Sequence, residues 1–148
     1  MDNSFKTISN QLLMSLKNNN DKDLKKIKFK NLEVLVDFIN YYKPKSKIKK
    51  EEGDIIEYLN ILCNKNLKKI DNNELKSLEK NYIYPIINRF LKYGFRYKFA
   101  WIYILLIVII LDLILFYVID IFIPVFSVIY LFNALKKEVI AFKQNKLW

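Results

Sequence analysis

Residues 105–126, LLIVIILDLILFYVIDIFIPVF, hold only two charged side chains, Asp112 and Asp120, in an otherwise apolar run. A carboxyl group in such surroundings supports three kinds of chemistry. It can carry a proton or a sodium ion, hydrogen-bond between packed helices, or pair with a cation or polar group of another membrane subunit. The rest of the chain narrows the choice. Among its 148 residues there is no histidine and a single cysteine, Cys63. Ser-His-Asp and Cys-His catalysis, a Cys/His zinc centre and an internal disulfide are thereby excluded. The two glycines, Gly53 and Gly94, are too far apart for a phosphate-binding loop. Glu51 with Glu52, and Asp54 with Glu57, read as surface carboxylates of a helix start rather than a general acid/base couple. Cys63, beside Leu62, reads as a small core residue rather than a reactive or acylated thiol. The expectation is a protein without enzyme chemistry, cofactor or metal.

The elements that must position Asp112 and Asp120 follow from length. Residues 99–135 contain no other charged side chain, and as one straight helix they would run about 55 Å. A bilayer core is only about 30 Å thick. The spacing predicts a transmembrane helical hairpin: a first helix from about 99 to 119, a turn near 120–124, and a second helix to about 135. Pro124 suits a helix's first turn, where its missing amide has no partner to lose, and Asp120 can cap that helix start. The first limb carries about 15 Leu, Ile, Val and Phe residues at roughly −0.3 to −0.6 kcal/mol each, against about +2.5 to +3.5 for a central aspartate. It inserts comfortably. The second limb has about 10 such residues and is marginal alone, so it leans on the first limb or on another protein. Counting back from the turn brings Ser127 and Tyr130 opposite Asp112, as candidate polar contacts. No basic residue lies in the apolar zone, so an ion pair with Asp112 requires a partner subunit. Ion transport would require a relay of polar groups that a lone hairpin lacks.

Arg89, Lys92, Arg96 and Lys98 precede the apolar run; Lys136, Lys137, Lys143 and Lys146 follow it. Positive charge on both flanks and none at the turn predicts both termini on the cytoplasmic side. Arg89, Lys92, Arg96, Lys98, Trp101, Lys136 and Lys137 are the candidates for the lipid-headgroup interface, with Phe95, Tyr97, Phe99 and Tyr103 extending the aromatic belt. The rival geometry is one span followed by an amphipathic or re-entrant helix.

Residues 1–98 form a basic region with 21 Lys/Arg against 12 Asp/Glu. About four amphipathic helices are expected. Phe5, Ile8, Leu12 and Leu16 mark the first; Asp21 caps a second that carries Leu32, Leu35, Val36 and Ile39. A basic linker near 43–50 is too charged to pack. The third helix has Ile55, Tyr58, Leu59 and Leu62 on its face, with acids at its start and Lys68 and Lys69 at its end. Asp71 and Glu74 read as a capping box for the fourth, which Pro85 kinks. Such a stretch forms only a modest core, which a partner surface can complete. The lysine clusters, Lys25, Lys26, Lys28, Lys30 and those of 43–50, fit a solvated face enriched by AT-rich coding better than anionic lipid, and either better than nucleic acid. Arginine is limited to Arg89 and Arg96, and no recognition motif accompanies the charge.

The fold class expected is all-α: a small cytoplasmic helical region, 1–98, a transmembrane hairpin, 99–135, and a basic cytoplasmic tail, 136–148. The function expected is that of a non-catalytic accessory or anchoring subunit of a larger membrane complex, in contact with lipid and with other membrane subunits. The alternatives are a self-assembling effector, holin-like or pore-forming, or a membrane-bound immunity protein, and thirdly an ion-conducting subunit that uses Asp112.

Overall fold

The structure, a computed structural model, describes residues 3–65, 67–119 and 124–148. It is helical, with no strand among the described residues. Two compact units divide the chain, Met1–Lys92 and Tyr93–Trp148.

In the first unit α1 (Asn3–Lys17), α2 (Asp21–Lys26), α3 (Phe29–Tyr41), α4 (Lys49–Asn64), α5 (Asn72–Leu78) and α6 (Tyr84–Phe90) close around their own core. The central helix is α4, whose Ile55, Tyr58, Leu59 and Leu62 are fully enclosed and which packs on α1, α3 and the segment after α5. Leu32, Leu35, Val36 and Ile39 of α3 face the same interior.

Several local expectations change. The inner face of α1 runs through Phe5, Ser9, Leu13 and Leu16, while Ile8 is 41% exposed and Leu12 half-buried. The neighbouring i, i+4 row packs instead of the expected one, on the side of α1 that is buried when the helix packs on α4. Asn20, not Asp21, caps α2, accepting a hydrogen bond from the Asp23 amide at 2.9 Å. One expected helix becomes two, since Lys28 adopts a left-handed φ of 53° between buried Ile27 and Phe29. That conformation is unfavourable for a residue with a Cβ. It is held by the salt bridge from Lys28 Nζ to buried Glu79 at 2.8 Å.

The linker near 43–50 packs after all. Ile48 is fully buried, and Lys45 donates to the Ile39 carbonyl at 2.8 Å and pairs with Glu52 at 2.9 Å. Helix α4 stops at Asn64, short of Lys68 and Lys69, because Leu67 and Ile70 turn inward in the loop that follows. Asp71 caps α5 through the Asn72 and Asn73 amides, at 2.7 and 3.4 Å, whereas Glu74 pairs with Lys65. Ahead of Pro85 the chain forms a π-helical turn, Glu79–Ile83, in which the Tyr84 amide reaches back to the Glu79 carbonyl. The wider turn accommodates the proline ring, which in a regular helix clashes with the preceding turn.

In the second unit α7 (Ala100–Ile119) and α8 (Val125–Lys143) pack against each other. The pairs Phe99–Glu138 and Asp112–Ser127 are hydrogen-bonded, so the helices run antiparallel. Twenty residues give α7 a length of about 30 Å. The second helix does not stop near 135. It continues through Lys136 and Lys137 to Lys143, and Asn145, at φ 55°, then closes it: the Asn145 amide bonds the Phe142 carbonyl at 3.0 Å and the Lys146 amide the Ala141 carbonyl at 2.8 Å. This is the paired hydrogen bonding of a left-handed helix stop. The expected tail thus folds back on the entry to α7. Arg96 exchanges hydrogen bonds with Lys146 (3.0 Å) and Trp148 (2.8 Å), and the Lys98 amide bonds the Trp148 carbonyl at 2.8 Å. Phe95, Ala141 and Trp148 are buried beneath these bonds.

Candidate functional site

Across Ala100–Tyr117 a single residue is buried among those described, and it is Asp112. The leucines and isoleucines on either side, from Ile109 to Phe116, are exposed. A helix of a water-soluble core shows the reverse arrangement, apolar side inward and polar side outward.

Asp112 is 4% exposed and faces α8. Its Oδ2 accepts two hydrogen bonds from Ser127, from the backbone amide at 3.0 Å and from Oγ. The geometry has a local cause. Pro124 immediately precedes α8 and offers no capping side chain to the first amides of the helix. The Asp112 carboxyl, reaching across from α7, supplies an acceptor to the third helical residue, at the positive end of the helix dipole. Twelve residues beyond Ala100, Asp112 stands about 18 Å along α7. The start of α8 therefore lies well inside the span of α7, where water is scarce if lipid surrounds it and an acceptor must come from the protein. Asp112 Oδ1 and the Trp101 indole Nε1 are both buried without a hydrogen-bond partner among the described residues.

Of the other sequence candidates, Tyr130 is half-buried one turn further along α8, while the carboxyl of Asp112 is engaged by Ser127. Asp120, offered as the cap of α8, lies outside the described residues; Pro124 is the residue before the helix. Trp101 is half-buried near the start of α7. Lys98, Lys136 and Lys137 are exposed, whereas Arg96 turns its guanidinium onto the Phe95 carbonyl at 2.7 Å. Lys92 and Arg89 belong to the first unit. Arg89 is held there by an ion pair with Glu51.

That pair corrects the surface reading of Glu51, which is buried. Glu79, on the π-helical turn, is a second buried acid, matched by Lys28. The signal for both was in the spacing: Glu51 precedes Ile55 by four, and Glu79 falls four after Leu75 and four before Ile83, each on an apolar stripe. Glu57 is exposed and accepts the Tyr82 hydroxyl at 2.8 Å; that hydrogen bond, above all, raises the Tyr82 pKa. Burial pushes the Cys63 thiol up, against a hydrogen bond with Ser15, and its Sγ rests 3.5 Å from the Leu12 carbonyl.

No group of three or more His, Cys, Asp or Glu side chains among the described residues is placed to hold a metal. The arrangement at Asp112 joins two helices. No family model matches the chain, and comparison with curated proteins and with solved structures finds no match either.

Proposed function

We propose that this chain is a non-catalytic integral membrane protein, an accessory or anchoring subunit of a larger membrane assembly. Helix α7 crosses the lipid, α8 packs beside it, and the first unit and the C-terminal residues both lie on the cytoplasmic face. The observation that carries this reading is the burial of α7 inside out: across Ala100–Tyr117 the one enclosed side chain among those described is Asp112, and the apolar surface around it is bare. Exposed apolar area of that extent is untenable in water and natural in lipid. One described helix, Ala100–Tyr117, is long and apolar enough to cross a membrane.

The hydrogen bonds that join Arg96 and Lys98 to Lys146 and Trp148 favour entry and exit on one face, since groups in contact share a side. The basic flanks favour the cytoplasmic one. An anchoring role suits Asp112 better than conduction does, because its carboxyl is engaged inside the α7–α8 seam rather than standing in a file of polar groups. The apolar stretch of α8 before Lys136 is about 16 Å long, too short to span alone, and its exposed Phe126, Val128, Ile129 and Phe132 offer a surface to neighbouring transmembrane helices.

The test is gentle detergent extraction of the chain tagged at either end, with mass spectrometry of what accompanies it and protease protection of both tags in sealed vesicles. The expected result is a constant membrane-protein partner, with both tags cleaved from the same side. Recovery from the aqueous fraction without detergent, or tags on opposite faces, overturns the membrane hairpin. Copies of the chain alone, together with a collapse of membrane potential on expression, would assign it to the self-assembling effectors.

A further inference from the structure

We propose that the base of the hairpin is a collar for the phosphate headgroups of anionic phospholipid. The inference rests on the membrane reading above and names the lipid class that it selects.

All six basic residues of Tyr93–Trp148, namely Arg96, Lys98, Lys136, Lys137, Lys143 and Lys146, sit at the end of the hairpin where the chain enters α7 and leaves α8. The hydrogen bonds between 96–98 and 146–148 gather them from two distant stretches of sequence into one ring. Glu138 is the one acid beside them, and its Oε1 already accepts the Phe99 amide at 3.3 Å. Two of the six brace the ring itself: Arg96 donates to the Phe95 carbonyl and Lys146 to the Tyr93 carbonyl at 3.1 Å. The other four, Lys98, Lys136, Lys137 and Lys143, are exposed, and among the described residues none meets a carboxylate. In the first unit, by contrast, lysines do find acids, as Lys28–Glu79, Lys45–Glu52 and Lys65–Glu74 show. A bias in coding would scatter lysine along the hairpin; it does not explain six cations at one end and none in the 37 residues between.

Placement distinguishes lipid from a soluble polyanion. Exposed Phe99, Ile102 and Tyr103 begin the apolar surface at the same level, so a ligand for the lysines must also cover hydrocarbon. Because Glu138 stands beside Phe99, Lys136 and Lys137 fall slightly inside the start of α7. Their ammonium groups reach a polar layer by extending along the helix, which brings them to the depth of lipid phosphates. Lys98 sits 4.9 Å over the Phe99 ring, a cation held at the boundary between apolar surface and headgroup.

The two tryptophans, Trp101 and Trp148, both belong to the hairpin unit and serve as built-in reporters. The full chain is reconstituted into vesicles of equal parts phosphatidylcholine and phosphatidylglycerol, with one lipid or the other carrying brominated chains. Brominated phosphatidylglycerol should outcompete brominated phosphatidylcholine around the protein by about fivefold, what one engaged lysine contributes at a surface, and by less at high salt. Substituting Lys98→Gln, Lys136→Gln, Lys137→Gln and Lys143→Gln together should bring the ratio close to one with helicity unchanged. Removing equal charge from exposed positions of the first unit, by Lys6→Gln, Lys22→Gln, Lys25→Gln and Lys30→Gln, should leave it unaltered. Equal quenching by the two lipids in the unsubstituted protein, or an equal loss in both quadruple variants, overturns the collar while leaving the membrane hairpin standing. Absence of quenching by either lipid overturns the hairpin reading itself.

Discussion

The two units of this chain use the same apolar vocabulary in opposite senses. In Met1–Lys92, Leu59, Ile55 and Leu35 are enclosed and the charged residues mostly line the outside. In Tyr93–Trp148, Leu111, Ile110 and Leu113 face outward and an aspartate is enclosed. Burial of hydrocarbon stabilises the first unit by removing surface from water; if lipid surrounds α7 it supplies that benefit without any folding, and the seam is left to van der Waals contact and hydrogen bonds. The treatment of buried acid differs in the same way. Glu51 and Glu79 meet cations, whereas Asp112 meets the amide end of a helix.

The largest effect should come from cutting the same side chain in each unit. Leu59→Ala opens a hole at the centre of the bundle and is expected to cost about 2–5 kcal/mol, a fall in the thermal midpoint of the first unit. Leu111→Ala, at an exposed position of α7, should shift the unfolding of detergent-solubilised protein by less than about 1 kcal/mol. Calorimetry of the two variants checks the pair. Equal losses would mean that α7 is packed against protein in the isolated chain, and the contrast between the units would vanish.

How far this division was legible depends on which residues carry it. Helical class, the stripes of α3 and α4 and the apolar run of α7 follow from spacing alone, because a period of 3.6 sorts side chains onto faces without any knowledge of the partners. The break at Lys28 was hidden, since its left-handed turn is held by Glu79, 51 residues away. The same holds for the linker lysine: Lys45 packs because Ile39 and Glu52 are waiting for it, and composition alone says only that the segment is charged. Distance along the chain also concealed the return of residues 146–148 to 96–98. At Asp112 the opposite residue could be counted out, and Ser127 was within that count; what counting omits is that the backbone amide shares the carboxyl with the hydroxyl. A proline directly before a helix, with no polar side chain at the capping position, is the local sign that an acceptor must come from elsewhere.

A middle-sized effect separates the acids of the first unit. Arg89→Ala leaves Glu51 buried without its cation, and an uncompensated buried charge is strongly destabilising. Arg89 is itself 47% exposed, which lets water share the pairing and reduces the loss to about 2 kcal/mol. Urea unfolding of the full chain in detergent, followed by the near-ultraviolet signal of the tyrosines in the first unit, measures it. Restoring neutrality with Arg89→Ala and Glu51→Gln together should recover part of the loss, since a neutral amide is less costly to enclose than a carboxylate.

The smallest effect belongs to the hairpin, and it distinguishes an acceptor from a charge. Asp112→Asn keeps a carbonyl oxygen where Oδ2 accepts the Ser127 amide and hydroxyl, so the seam should hold with little change. Asp112→Leu removes the acceptor from the start of α8 and should cost about 1 kcal/mol, within the range measured for helix caps and for polar contacts between transmembrane helices. Hydrogen exchange in micelles reads this directly: the Ser127 amide should exchange about five times faster in the leucine variant and near the original rate in the asparagine variant. In the first unit the acids need cations, so neutral isosteres of Glu51 or Glu79 lose a real partner. A hairpin that tolerates asparagine at 112 but not leucine needs only an oxygen at that depth, and the carboxylate is then a cap supplied by a neighbouring helix. If asparagine disrupts α8 as much as leucine does, the negative charge itself is what the helix dipole requires.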